Sequence, residues 1–256
     1  MTTGGAKSKG LLWVVIAILV ASAAAIGLPY LAKHVPWRVE QWMAAVLGGA
    51  PFNHACRGRA RPESPALFQK LVKRIYPLDE QDGGLPITIE AIEGKSVNAF
   101  AGLGGRIYVF DGLIKQAQSA EELAGVLAHE IEHVRNRHII QGVAVNLLTL
   151  GAIRIVLPGQ SAESQIAYLL LTLKFSRQQE NEADEMGLRR LQAARVDAAG
   201  FQQFFARAEK MSAPPEIISN HPSNEFRAQL AARFRGYPVE PLMGEAEWAA
   251  LKAICD

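Results

Sequence analysis

The strongest chemical signal in the chain is His129-Glu130-Ile131-Glu132-His133, two histidines four residues apart with a glutamate directly after the first. On a helix such positions share one face with Cβ atoms roughly 6 Å apart, close enough for two imidazoles to reach one metal ion. Local signals put the pattern on a helix. Ser119 followed three residues later by Glu122 reads as an N-terminal capping box, and Leu123, Val126, Leu127, Ile131 and Val134 recur at helical spacing. Steps of 100° place both histidines at the edge of the apolar stripe and Glu130 inside it, whereas Glu132 falls on the opposite face, expected in solvent. A carboxylate inside an apolar arc is costly unless a cation answers it. A zinc ion would be that cation, with Glu130 as the base that activates an attacking water.

A third ligand comes from SRQQENEADEMG at 176–187, which reads as a second helix carrying Glu180 and Asp184 one turn apart on one face. Ala183 and Gly187 share that face, and their small size lets the two helices approach closely. Glu180 then completes a His2Glu site with a fourth position open to water, as catalysis requires. Asp184 can accept the second ring N–H of a ligating histidine or sit near the reacting group. Taken alone, the same acids would read as a surface helix neutralised by Arg177, Arg189 and Arg190. His138 projects onto the apolar arc near the end of the first helix and, with His34 and His54, is assigned no chemical role.

These helices need a scaffold. Residues 65–76 read as a short helix, DEQDGG as a turn, ITIEAI at 87–92 as an alternating strand, and RIYVF at 106–110, after the Gly104-Gly105 turn, as a second strand. That second strand is expected either to offer an edge to which an extended peptide adds or to lie inside the sheet. From there onward the pattern is almost wholly helical.

Residues 11–28 form an uncharged apolar run that just crosses a bilayer. The expected organisation is a basic leader (1–10), a transmembrane anchor or signal segment (11–32), a juxtamembrane linker (33–64) and a catalytic domain (65–256). The Ala-rich stretch 21–25 also fits a cleaved secretory signal. Residues 1–62 hold seven Lys or Arg against one acid, Glu40, which suits an anionic membrane surface or a solvated stretch. Lys7 and Lys9 are balanced by Lys33 and Arg38, so orientation is only weakly specified, with export of the catalytic domain preferred over a cytoplasmic-facing one. The apolar stretches 143–157 and 166–175 are too short to span comfortably and read as buried helices or helices lying at a membrane surface. Cys56 and Cys255 lie outside any C-x-x-C pattern; they form one disulfide or stay as thiols. A net charge of +2 argues against a nucleic-acid partner.

HEIEH at 129–133, SRQQENEAD at 176–184, NAFAGLGGRIYV at 98–109 and HPSNEFR at 221–227 occur in the order seen in the HtpX-like and CAAX-prenyl-protease-like metallopeptidases, the forty-eighth metallopeptidase family. The resemblance covers roughly residues 65–235. It implies an α+β, mostly helical, zincin-like domain of the gluzincin type with a small β-sheet. It also implies one zinc per chain held by His129, His133 and Glu180, Glu130 as catalytic base, and Asp184 in the active site. His221 would lie near the metal, stabilising an oxyanion or restraining the site, and Arg227 would pair with an acid such as Asp184. The expected function is a membrane-anchored zinc endopeptidase acting on unfolded or flexible membrane and envelope polypeptides, with the bilayer as its other partner. A bacterial inner membrane with the domain in the periplasm is the expected location. The rival reading is a zinc-stabilised, non-hydrolytic chaperone or binding protein at the membrane.

Overall fold

The computed structural model describes residues 27–46, 55–77, 87–146, 168–221 and 225–256. Three strands form one sheet: β1 (Thr88–Ile92), β2 (Ala99–Ala101) and β3 (Arg106–Phe110), in the order β1-β3-β2. β1 runs parallel to β3 with Thr88 opposite Arg106, and β2 runs antiparallel to it with Ala99 opposite Val109. Gly104 and Gly105 both adopt positive φ in the turn between β2 and β3, which folds Ala99–Ala101 back onto Arg106–Phe110. Arg106–Phe110 is therefore the central strand, paired on both sides, and offers no free edge.

The helices follow in chain order: α1 (Trp37–Val46), α2 (Ser64–Ile75), α3 (Asp111–Gln116), α4 (Ala120–Arg135), α5 (Arg177–Ala193), α6 (Ala199–Glu209), α7 (Glu216–Asn220), α8 (Glu225–Arg233) and α9 (Glu245–Lys252). Residues 138–146 and 168–172 are also helical. Helix α4 is the axis of the fold, packed by β2, α2, α5 and α6. It begins where its cap places it, with the Glu122 N–H donating to Ser119 Oγ at 3.2 Å. Enclosure is so complete that every residue from Glu122 to Val134 is buried. Glu132 is accordingly not in solvent. It is buried, and Arg190 from α5 donates to it at 2.7 Å while also donating to the Ile75 carbonyl at 3.1 Å. The helical projection assumed water on the far side of α4, and a second helix stands there instead.

Glycines set the close approaches. A Cβ on Gly187 of α5 would lie 3.2 Å from the His129 backbone nitrogen, and one on Gly125 of α4 would lie 2.7 Å from Phe201 Cα in α6. The two helices thus sit almost backbone to backbone against α4, the arrangement that Ala183 and Gly187 suggest in the sequence.

Part of the expected linker is structural. Helix α1 packs on the turn at Leu103–Gly105, where buried Glu40 accepts from the Gly104 N–H at 3.0 Å and pairs with Arg137 at 2.6 Å. Farther along, the Cys56 N–H donates to Ala91, Gly58 to Ile254 and Ala60 to Asp256, which stitches residues 55–60 to β1 and to the C-terminal end. Cys56 and Cys255 form a disulfide across 199 residues of sequence. Closing so long a loop restricts the unfolded chain strongly, so reduction, or replacement of both cysteines by alanine, should cost about 2–4 kcal/mol of stability. Denaturant unfolding with and without reductant measures this; coincident curves would show the bridge to be energetically idle.

Among the described residues no helix is long and apolar enough to cross a membrane. The run 11–28 lies outside the described residues except for its last two positions. Of the two shorter apolar stretches, Val143, Leu169, Leu170 and Leu173 are buried, with Leu173 packed over Gly142, while Val145 and Tyr168 face outward.

Candidate metal centre

Helices α4 and α5 and the residue after α7 bring four donors to one point: His129, His133, Glu180 and His221, with one ligand atom of each lying within 4.8 Å of the others. The separations are short and even. His129 Nε2 is 3.0 Å from His133 Nε2 and 3.0 Å from His221 Nδ1. Glu180 Oε1 is 3.2 Å from His221 Nδ1 and 3.5 Å from His133 Nε2, and Glu180 Oε2 is 3.6 Å from His129 Nε2. Zinc bonds of roughly 2.0–2.1 Å in a tetrahedron put donor atoms about 3.3 Å apart, so the cluster has the dimensions of a single zinc sphere.

The protonation pattern supports the same fit. His129 Nδ1 lies 2.8 Å from Asp184 Oδ1, a carboxylate that can only accept, so Nδ1 holds the proton and Nε2 carries a lone pair. That lone pair is aimed at the other donors, and a cation between them is what removes the repulsion. Asp184 in turn accepts from Arg227 at 2.7 Å (Nε to Oδ2) and 3.1 Å (Nη2 to Oδ1). Arg227 Nη2 also reaches Glu180 Oε2 at 3.4 Å, and its guanidinium lies over the Phe205 ring. Burial works to raise the Asp184 pKa, but the His129 hydrogen bond and the Arg227 charge outweigh it and hold the carboxyl below its ordinary value. For Glu180, burial is likewise outweighed, chiefly by His221 and then by His129 and Arg227, leaving it ionised. Asp184 thus contacts both His129 and Arg227.

Glu130 differs. It is fully buried, and its carboxylate faces the Ala101 backbone and makes no strong side-chain hydrogen bond. Burial raises its pKa and outweighs the opposing electrostatic influence of the neighbouring His221 and His129 rings. His221 Nε2 stands 3.4 Å from Glu130 Oε1, so the His221 ring lies between the donor cluster and this carboxylate. A buried carboxylate with a raised pKa beside a metal-sized donor set has the placement a general base would need.

Local sequence explains the placement. Ser176 and Gln179 form a full capping box at the start of α5, which sets Glu180 in its first turn. Asp184 follows one turn on, and Gly187 allows both to reach α4. One participant carried no usable sequence signal. His138 is buried, its Nδ1 lies 3.0 Å from His133 Nδ1, and burial pulls its pKa down to about 4, so the ring is neutral at ordinary pH. On an unbroken helix it would point away from His133; Arg137, at φ 64°, breaks the helix and turns it back.

Residues 68–234 match the sequence profile described as Peptidase family M48. The chain belongs to that family. M48 members are zinc metallopeptidases, and the four-donor cluster of this chain is suited to one such ion. Among its relatives, the β-barrel assembly-enhancing protease of Escherichia coli K12 is 31% identical over 176 residues, covering 62% of this chain and 36% of that one. The mitochondrial metalloendopeptidase OMA1 of Arabidopsis thaliana is 33% identical over 156 residues, covering 59% of this chain and 32% of the relative. The metalloprotease LoiP of Escherichia coli K12 is 28% identical over 179 residues, covering 66% and 70%. The chain thus spans little more than a third of the first of these and about two thirds of LoiP.

Proposed function

We propose that this chain is a membrane-anchored zinc endopeptidase that hydrolyses peptide bonds in unfolded or flexible membrane and envelope polypeptides. The observation that carries the reading is the convergence of two imidazoles from α4 and a carboxylate from α5 beside the fully buried Glu130. His129, His133 and Glu180 hold the ion, which when bound polarises a carbonyl and acidifies a water. Glu130 takes the proton of the attacking water and delivers it to the leaving nitrogen. Asp184, fixed by Arg227, keeps His129 in the liganding tautomer.

His221 fills the fourth place of the donor set and faces the base. Every side chain of the site is buried, so substrate reaches the donors only when the packing around them opens. The anchor is assigned to residues 11–28. Tyr30, Leu31 and Trp42 follow it with more than 60% of their surface exposed, which suits contact with a lipid interface. The Cys56–Cys255 disulfide supports an oxidising compartment, hence the periplasmic side of a bacterial inner membrane. The name of one relative, a β-barrel assembly-enhancing protease, is in keeping with envelope clients.

The test is proteolysis by the full chain reconstituted in lipid vesicles. Unfolded polypeptide should be cut, a zinc chelator should stop the cutting, and added zinc should restore it. Absence of cleavage under every metal condition would overturn the reading.

A further inference from the structure

The two donor histidines of α4 are supported differently. His129 leans on Asp184, whereas behind His133 stands a second imidazole, with the two Nδ1 atoms 3.0 Å apart. One of those nitrogens must carry the proton. His133 Nε2 faces His129 Nε2 and Glu180, so for His133 to bind the ion its proton sits on Nδ1 and is donated to His138 Nδ1. The His138 proton is then on Nε2, and that atom lies 3.5 Å from Glu182 Oε2. The reverse tautomers would aim a hydrogen into the donor cluster and leave no lone pair for the metal.

We propose that His138 and Glu182 are positioning residues of the metal site, fixing the tautomer and ring orientation of His133 as Asp184 and Arg227 fix His129; the proposal rests on the metallopeptidase reading. The direction of the His138 ring is built into the fold. Arg137, at φ 64°, turns the chain back after α4, and it is held there by Glu40 at 2.6 Å, by the Val35 carbonyl at 2.6 Å and by the Trp37 ring. A left-handed non-glycine residue persists only where its surroundings over-determine it. The segment before α2, expected as a linker, thus sets the partner of a metal ligand. Phe175 stacks on His133 with ring centroids 3.9 Å apart and limits its tilt from the other side. Glu182 sits two residues after Glu180 on α5, its side chain about half exposed, at an open pocket that Lys33, Asn136, Gln141 and Lys174 also line. One helix therefore supplies both a ligand and the outer end of this chain of contacts.

The experiment uses the full chain in detergent, titrated with zinc against a competing chelator, and cobalt loading followed by its visible absorption. His138→Phe keeps a ring and removes the acceptor; zinc affinity should fall about 10- to 100-fold and the cobalt bands should shift, as expected when an outer partner of a ligand is lost. Thermal unfolding of the zinc-free variant should match that of the zinc-free parent, which a merely structural histidine would not allow. His138→Gln, which retains an acceptor, should recover most of the affinity, and Glu182→Gln, at an exposed position, should lose several-fold. The proposal is overturned if His138→Phe binds zinc within about twofold of the parent, or if His138→Gln rescues nothing. Should His138→Phe fail to fold, Glu182→Gln decides: weakened zinc binding upholds the chain of contacts and parental binding refutes it. A parent that binds no zinc would instead refute the metallopeptidase reading itself.

Discussion

Glu130→Gln is expected to lower turnover by a factor on the order of 10²–10⁴ while leaving zinc in place, the loss that follows removal of a general base. The substitution preserves shape, and the amide oxygen can still accept from the Ala101 backbone. Because burial raises the Glu130 pKa, an ionised carboxylate is disfavoured at this position, and a neutral amide should leave the fold as stable as before or more so. Loss of turnover then cannot be charged to misfolding. The rival reading, a zinc-stabilised chaperone, requires the opposite: prevention of aggregation unchanged by Glu130→Gln and no cleavage by either protein. Steady-state cleavage of an unfolded polypeptide, paired with zinc content, measures both.

The second large effect is at Glu180. Glu180→Ala removes the carboxylate of the donor cluster and one of the carboxylate acceptors of Arg227. Loss of an outer partner costs about 10–100-fold in metal affinity, and loss of a ligand itself should exceed that. The purified variant should therefore emerge from dialysis with little zinc and no measurable cleavage. His221 makes the outcome informative, since its Nδ1 lies 3.0 Å from His129 Nε2 and is a ready third donor. Full zinc occupancy in Glu180→Ala, lost in the double variant with His221→Ala, would show that three histidines rather than two histidines and a glutamate carry the ion.

Much of the site was legible because it depends on spacing along two helices. The pairing of His129 with His133 needs only a helical turn, and Ser119 marks where that helix begins. Glu180 and Asp184 could be assigned because Ala183 and Gly187 leave room on the same face, and a Cβ on Gly187 would meet the His129 backbone. What the sequence concealed depends on contacts between distant segments. Arg106–Phe110 is central in its sheet because Ala99–Ala101 and Thr88–Ile92 pair with it from opposite sides, and strand order is not written in a strand's own pattern. Glu132 was expected in water because a helical projection knows nothing of Arg190. Residues 37–46 were read within a linker; they form a helix because Glu40 finds Gly104 and Arg137, 64 and 97 residues away. His138 escaped notice for a related reason: one left-handed residue before it redirects its ring to His133.

The most direct test of the central claim is crystallography of the zinc-loaded chain with anomalous data collected on both sides of the zinc absorption edge. One zinc peak is expected, at roughly 2.0–2.2 Å from His129 Nε2, His133 Nε2 and a carboxylate oxygen of Glu180. A peak away from these atoms, or one bound by the histidines with Glu180 turned out of reach, would contradict the account.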